Sequence, residues 1–258
     1  CLVTGLTAGT AYTFTVTATN AAGTGTASAA SGSVTPTAAI AKVREVTLSG
    51  STNMTGKTSA ALSLPAVTAG DTLVLAVADD HGGTGGGATV SAVTGGNVAA
   101  GGWTSAIVQK GSANNGEVEL WYGRVATTSA SAVTVTVTLS VATNIQLADV
   151  TEWSGIAATS PTDGATGANG TGTAITAGPV TTTVYGDLVV SATWSSVGAA
   201  TAQNSTTSGY TALSQAVQGT TYRGWGAYQT KLPVGAVSAA WSPPSSATYV
   251  TAIAAFNP

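Results

Sequence analysis

Glu117 and Glu119 flank Val118 in "EVELWYGR" (117–124), so a strand there would turn both carboxylates to one face. Two carboxylates set apart in a cleft are the equipment of a glycosidase. The chain holds ten acids but one histidine, His81, inside the glycine-rich stretch "DDHGGTGGG" (79–87). A Ser–His–Asp mechanism needs a histidine oriented by a partner, and that stretch offers neither an elbow motif nor a rigid frame. Cys1 is the single cysteine, so no internal disulfide forms. Asp71 and Asp187 each follow a glycine and precede an apolar run, at matching places in a repeat described below. Such duplication points to a turn role, the carboxylate accepting from backbone N–H groups. For Glu117 and Glu119 a solvated face is expected, because the second copy carries no acid there; Glu152 reads as an edge-strand charge. No catalytic residue is expected, and the chain is not read as an enzyme.

Metal and ligand chemistry rest on few residues. Asp79 and Asp80, with the carbonyls of Gly82 and Gly83, form the one stretch that could hold calcium, a cation that takes carboxylate and carbonyl oxygens. No other cofactor is implied. In "TTYRGWGAYQ" (220–229), Tyr222, Arg223, Trp225 and Gln229 cluster around two glycines. With Trp194 they are the candidate ligand-binding surface, because an exposed planar ring stacks on the apolar face of a sugar while amides bond its hydroxyls. The competing reading is that these rings fill the gap between two structural units.

The elements that must position these residues are strands. Only 7% of the chain is charged against 43% hydrophobic, and Thr, Val, Ala, Ser and Gly dominate. Thr and Val favour strands, and glycine punctuates turns, so the fold is expected to be all-β. Val133, Val135, Val137 and Leu139 alternate with Thr134, Thr136 and Thr138, a half-buried strand pattern. Leu73, Leu75 and Val77 share one face of "TLVLAVA" (72–78) while Val74, Ala76 and Ala78 share the other. A strand apolar on both faces must be covered twice.

Four blocks recur in order. "AGDTLVLAVADD" (69–80) answers "YGDLVVSATWSS" (185–196), and "GWTSAIVQKG" (102–111) answers "GYTALSQAVQG" (209–219). The stretch 117–140 answers 224–244, and "IQLADVTEWSG" (145–155) answers "ATYVTAIAAFNP" (247–258). The repeat pairs Trp103 with Tyr210, Tyr122 with Tyr228 and Trp153 with Phe256, rings expected in the core. Trp121, Trp194, Tyr222, Trp225 and Trp241 have no partner and are the rings free to bind something else. The expected units are two tandem jelly-roll- or immunoglobulin-like β-sandwiches at 45–156 and 157–258, or one merged sandwich, with 156–178 as the joint, a loop followed by the opening strand of the second unit.

Ahead of them, "CLVTGLTAGTAYTFTVTATNAAGTGTAS" and "SGSVTP" place Leu6, Tyr12, Phe14, Val16 and Ala18 in the pattern of closing strands. This stretch resembles the C-terminal part of a bacterial fibronectin type III domain, covering residues 1–36, with 37–44 a linker. The resemblance implies missing partner strands, hence a piece of a longer chain or self-association through the unpaired strands of 1–36. The duplicated region is similar to modules of bacterial secreted proteins and phage appendage proteins, which implies a structural or binding role.

Net charge is −3, and Lys42 and Arg44 are the only close pair of cations, which disfavours nucleic acid as a partner. The apolar runs are too short for a helix to span a bilayer, and no membrane insertion is expected. The expectation is therefore an extracellular, non-catalytic binding or adhesion module, with a polysaccharide or other cell-surface ligand. The alternative is a structural component of a phage appendage or cell-surface fibre acting through protein–protein contacts.

Overall fold

The computed structural model describes residues 3–48, 55–80, 88–112, 116–197, 207–213 and 223–258. Among these, strands form throughout and no helix occurs. The chain divides into two compact units, Cys1–Ala39 and Ile40–Pro258.

The first unit is a hairpin. Tyr12 bridges Val34, the Phe14 N–H donates to Ser31 Oγ, and the Val16 N–H donates to Ser28 Oγ. Its tip carries two short strands, β1 (Thr19–Asn20) and β2 (Gly23–Thr24). The Tyr12 hydroxyl accepts from the Thr7 N–H at 3.0 Å and pins the approach to the hairpin. None of residues 3–39 is buried, and Val16 is 71% exposed. A lone hairpin has one face to hide and nothing within itself to hide it against.

The second unit contains β3 (Ala41–Thr47), β4 (Lys57–Leu64), β5 (Thr72–Asp80), β6 (Val90–Gly95), β7 (Val98–Lys110), β8 (Glu117–Val125) and β9 (Val133–Ser154). There follow β10 (Thr162–Gly172), β11 (Ile175–Thr182), β12 (Asp187–Ser195), β13 (Thr211–Ala212), β14 (Arg223–Leu232), β15 (Gly235–Trp241) and β16 (Ala247–Phe256). Part of the segment expected as linker, 41–44, is strand β3, and within 156–178, expected as a loop followed by a strand, β10 begins at Thr162. Gly155–Pro161 connects β9 to β10.

Each half is a β-sandwich. In the first, the sheet β3-β9-β5-β8-β7 faces β4 and β6, which flank the opening part of β9. In the second, β10-β16-β12-β14-β13 has the same order, and β11 pairs with β15. The copies match in register too. Val74 lies between Tyr122 and Thr151, and Val190 lies between Tyr228 and Ala254. Even the irregularities are duplicated, since β3 slips register between Lys42 and Arg44 and β10 between Thr162 and Gly164.

β9 runs 22 residues because it serves both sheets of its sandwich in turn. In the second half the same path is broken into β15 and β16 by Pro243 and Pro244, which supply no N–H to a ladder. β10 is glycine-rich yet pairs with β16 almost throughout, because packing overrides its poor propensity: a Cβ at Gly167 would sit 2.4 Å from the Gln109 side chain.

Three cores lie between four layers. One is inside the first sandwich, around Leu62, Leu73, Leu75, Val135 and Val150. Another is inside the second, around Ile175, Val189, Trp225, Trp241 and Ile253. The third lies between the sandwiches and joins Val74, Ala76, Leu120, Leu147 and Trp153 to Leu188, Val190, Trp194, Val250 and Phe256. This is the cover that the doubly apolar strand requires, and every residue of β5 and of β12 is buried. Glycines let the sheets approach there. A Cβ on Gly116 would fall 2.2 Å from the Trp194 ring, and one on Gly224 would fall 2.7 Å from Leu147 Cβ and 2.8 Å from the Gln146 backbone.

Gly224→Ala therefore forces two sheets apart and is expected to cost about 1–3 kcal/mol of stability. Gly172→Ala, whose nearest neighbour would be 3.8 Å away, should change stability by less than about 0.5 kcal/mol. Urea unfolding of both variants reads the difference, and equal midpoints would show that the seam is not tightly packed.

Candidate functional site

The two sequence-derived candidates, the acid pair and the aromatic cluster, occupy the same place in the two copies. β5 places Asp79 opposite Glu117 and Val77 opposite Glu119; β12 places Ser195 opposite Arg223 and Thr193 opposite Trp225. The sites are therefore alternative fillings of one position at the end of each sandwich.

In the first half, Asp79, Glu117 and Glu119 share the inward face with Leu73 and Leu75, and each is only 2% exposed. This corrects the expected solvated face: alternation identifies a common face without telling which way it looks. Glu119 accepts from the Val90 N–H and from Trp121 Nε1–H, both at 2.6 Å. Lys110, opposite Glu117 on β7, places Nζ 3.8 Å from Glu117 Oε2. Burial, followed by the charges of Glu119 and Asp80, pushes Asp79 up to about 8. Burial, then hydrogen bonding to Glu119 and its charge, pushes Glu117 up to about 9. At neutral pH these two carboxyls keep their protons and can donate to their neighbours.

Glu152 is fully buried on a strand flanked by β3 and β5, not at an edge; it accepts from the Thr68 N–H at 2.7 Å and pairs with Arg44. Asp71 and Asp187 open equivalent strands, and each meets a second carboxyl. Burial and then Glu152 raise Asp71 to about 6; burial and then Asp163 raise Asp187 to about 7. Asp163 takes the Thr183 N–H and hydroxyl, so the turn-capping expected of the repeated Asp is performed by this neighbour. Asp149, on β9, is raised well above its usual range by burial and then by Glu45, against a bond from the Thr47 hydroxyl.

The aromatic candidates are internal. Trp225 is 1% and Trp194 2% exposed, so neither presents a face to a sugar, and Arg223 is 4% exposed. Trp225 fills the core of the second sandwich, where the first has Glu119. Trp194 fills the core between sandwiches, where the first has Ala78. Trp241 is fully buried too, and Trp121 is half-buried against the first core. The competing reading, that such rings fill a gap between units, describes Trp194. Gln229 is half-buried and lines a shallow cleft of about 290 Å³ with Thr207, Pro233, Val234 and Ser238. A second cleft of about 110 Å³ lies beside Thr72, Tyr122, Arg124 and Pro161. Neither is lined by an acid. Tyr222, His81, Gly82, Gly83 and Cys1 lie outside the described residues.

Among the described residues no group of three His, Cys, Asp or Glu side chains is arranged to hold a metal ion; Gly82 and Gly83, the carbonyl half of the calcium stretch expected with Asp79 and Asp80, lie outside them. Among the aromatic rings described, Tyr185 is the one mostly in solvent, at 66%. Sequence reasoning passed over it because it lies in a turn, ahead of the repeated Gly–Asp. No protein-family model, curated protein or solved structure matches the chain.

The raised carboxyls set a pH dependence. Each binds a proton more tightly folded than unfolded, so its stabilising contribution is complete below about pH 4 and is lost as pH rises through the folded values, about 8 for Asp79 and about 9 for Glu117. The urea midpoint should thus fall steadily between pH 5 and pH 9. In the double variant Asp79→Asn/Glu117→Gln the fall should be shallower; a midpoint that rises over this range would contradict the burial of these acids.

Proposed function

We propose that this chain is a non-catalytic, extracellular structural module, a rigid block within a cell-surface or phage-appendage assembly, working through protein–protein contacts. The observation that carries it is the burial, among the described residues, of Asp79, Glu117, Glu119, Trp194, Trp225 and Trp241. The acid pair and three of the unmatched tryptophans, Trp194, Trp225 and Trp241, are consumed by packing, and no acid lines either cleft. The block has three cores and two matched sandwiches, a construction suited to holding distance and direction. The first unit supports the same reading: with its fibronectin type III-like pattern and no buried residue, its open face is suited to pairing with further strands.

One observation favours a second reading, a binding module for polysaccharide. Tyr185 offers an exposed ring, and Gln229 lines a cleft with further hydroxyl groups.

Sedimentation with insoluble cellulose, chitin and peptidoglycan separates the two. The structural reading expects no retention, and Tyr185→Ala then changes nothing. Retention abolished by Tyr185→Ala would replace it with the binding reading. Trp225→Ala is expected to cost about 3–5 kcal/mol of stability as a core cavity, and unchanged thermal unfolding would show that the ring is free.

A further inference from the structure

The two sandwiches meet through the same face of each, and reciprocally. Tyr122 of the first half packs edge-on against Phe256 of the second, with centroids 5.8 Å apart and planes at 80°. The counterparts repeat the contact with the halves exchanged: Tyr228 of the second packs edge-on against Trp153 of the first, at 4.9 Å and 74°. β5 lies against β12, its own counterpart. Residue i touching j while the copy of j touches the copy of i is the pattern of an isologous, twofold interface between identical subunits.

At two places the copies have diverged in complementary ways. Trp194 stands where the first half has Ala78, and its ring lies over Gly116 of the first half. Gly224 stands where the first half has Val118, and it admits Leu147 and the Gln146 backbone of the first half. A first half docked on another first half would put Ala78 over Gly116 and leave an indole-sized void. It would also press Val118 into a gap in which even one added Cβ comes within 2.7 Å of Leu147. One contact is lost and the other clashes, so like-with-like pairing is disfavoured twice.

We propose that the seam is a selective dimer interface carried within one chain. The first half (40–158) recognises a second half (159–258) as its partner, including one from another copy of this chain, and rejects another first half. The connection Gly155–Pro161 raises the local concentration of the partners but is not what holds them.

The test uses the full chain with a protease site inserted at 158–160, where Ala158, Thr159 and Ser160 are all exposed. After native cleavage the fragments should co-elute at the mass of the uncut chain at micromolar concentration. Native mass spectrometry should show one first half with one second half. Mixing cut chains with isotope-labelled cut chains should give exchanged mixed pairs and no pairs of first halves. Gly116→Val in the cut chain should weaken co-elution tenfold or more, a loss of roughly 1.4 kcal/mol or above, while circular dichroism of the uncut variant stays that of folded sheet. Separation of the wild-type fragments under native conditions overturns the proposal. Pairs of first halves as abundant as mixed ones, or an uncut Gly116→Val chain that loses its sheet signal, overturn the selective role assigned to this contact.

Discussion

β5 and β12 are buried along both faces, and a strand in that position must be covered twice. Each sandwich covers its central strand on one side with its own second sheet. The other side is left apolar, with Val74, Ala76, Ala78, Leu120 and Leu147 in the first half and Leu188, Val190, Ala192 and Val250 in the second. Neither set has a partner within its own sandwich. Hiding these two faces against each other removes both from water at once, and the layered order of the sheets in residues 40–258 follows from it. Small residues at the seam, Ala76, Ala192, Gly116 and Gly224, bring the sheets close enough for the larger ones to interlock.

Duplication explains why the seam works and divergence explains why it is specific. Side chains shared by the copies, such as Tyr122 with Tyr228 and Trp153 with Phe256, make the reciprocal aromatic contacts. Those not shared, above all Trp194, answer a change in the other copy, a glycine where a larger residue would collide. For Trp194 the premise that an unshared residue is free to touch a ligand fails, because a copied face that packs on itself puts pressure on its own unshared residues to complement one another.

Much of the fold was legible in the sequence. The Val–Thr alternation at 133–139, the doubly apolar run at 72–78 and the four recurring blocks define strands, a covered sheet and two equivalent halves. The site was far less legible. Period-two spacing put Glu117 and Glu119 on one face, but only the position of β4, β6 and the opening of β9 makes that face interior. Trp225 looked available because it stands between glycines. Those glycines instead let neighbouring elements close in, Leu147 over Gly224 and Leu213 over Gly226. The strand expected within 156–178 could not be bounded from sequence, because the glycines of β10 lower β propensity, a local signal that its pairing with β16 overrides.

The burial of acids completes the physical picture. Seven of the ten, Asp79, Asp80, Glu117, Glu119, Asp149, Glu152 and Asp187, are buried, and the other three are half-buried. Asp79 and Glu117 hold protons at neutral pH, so the folded chain carries less negative charge than its formal −3. Its surface is hydrated by Thr, Ser and Asn instead. Such a surface exerts little long-range pull on a charged ligand, and its contacts act at short range through shape, hydroxyls and backbone.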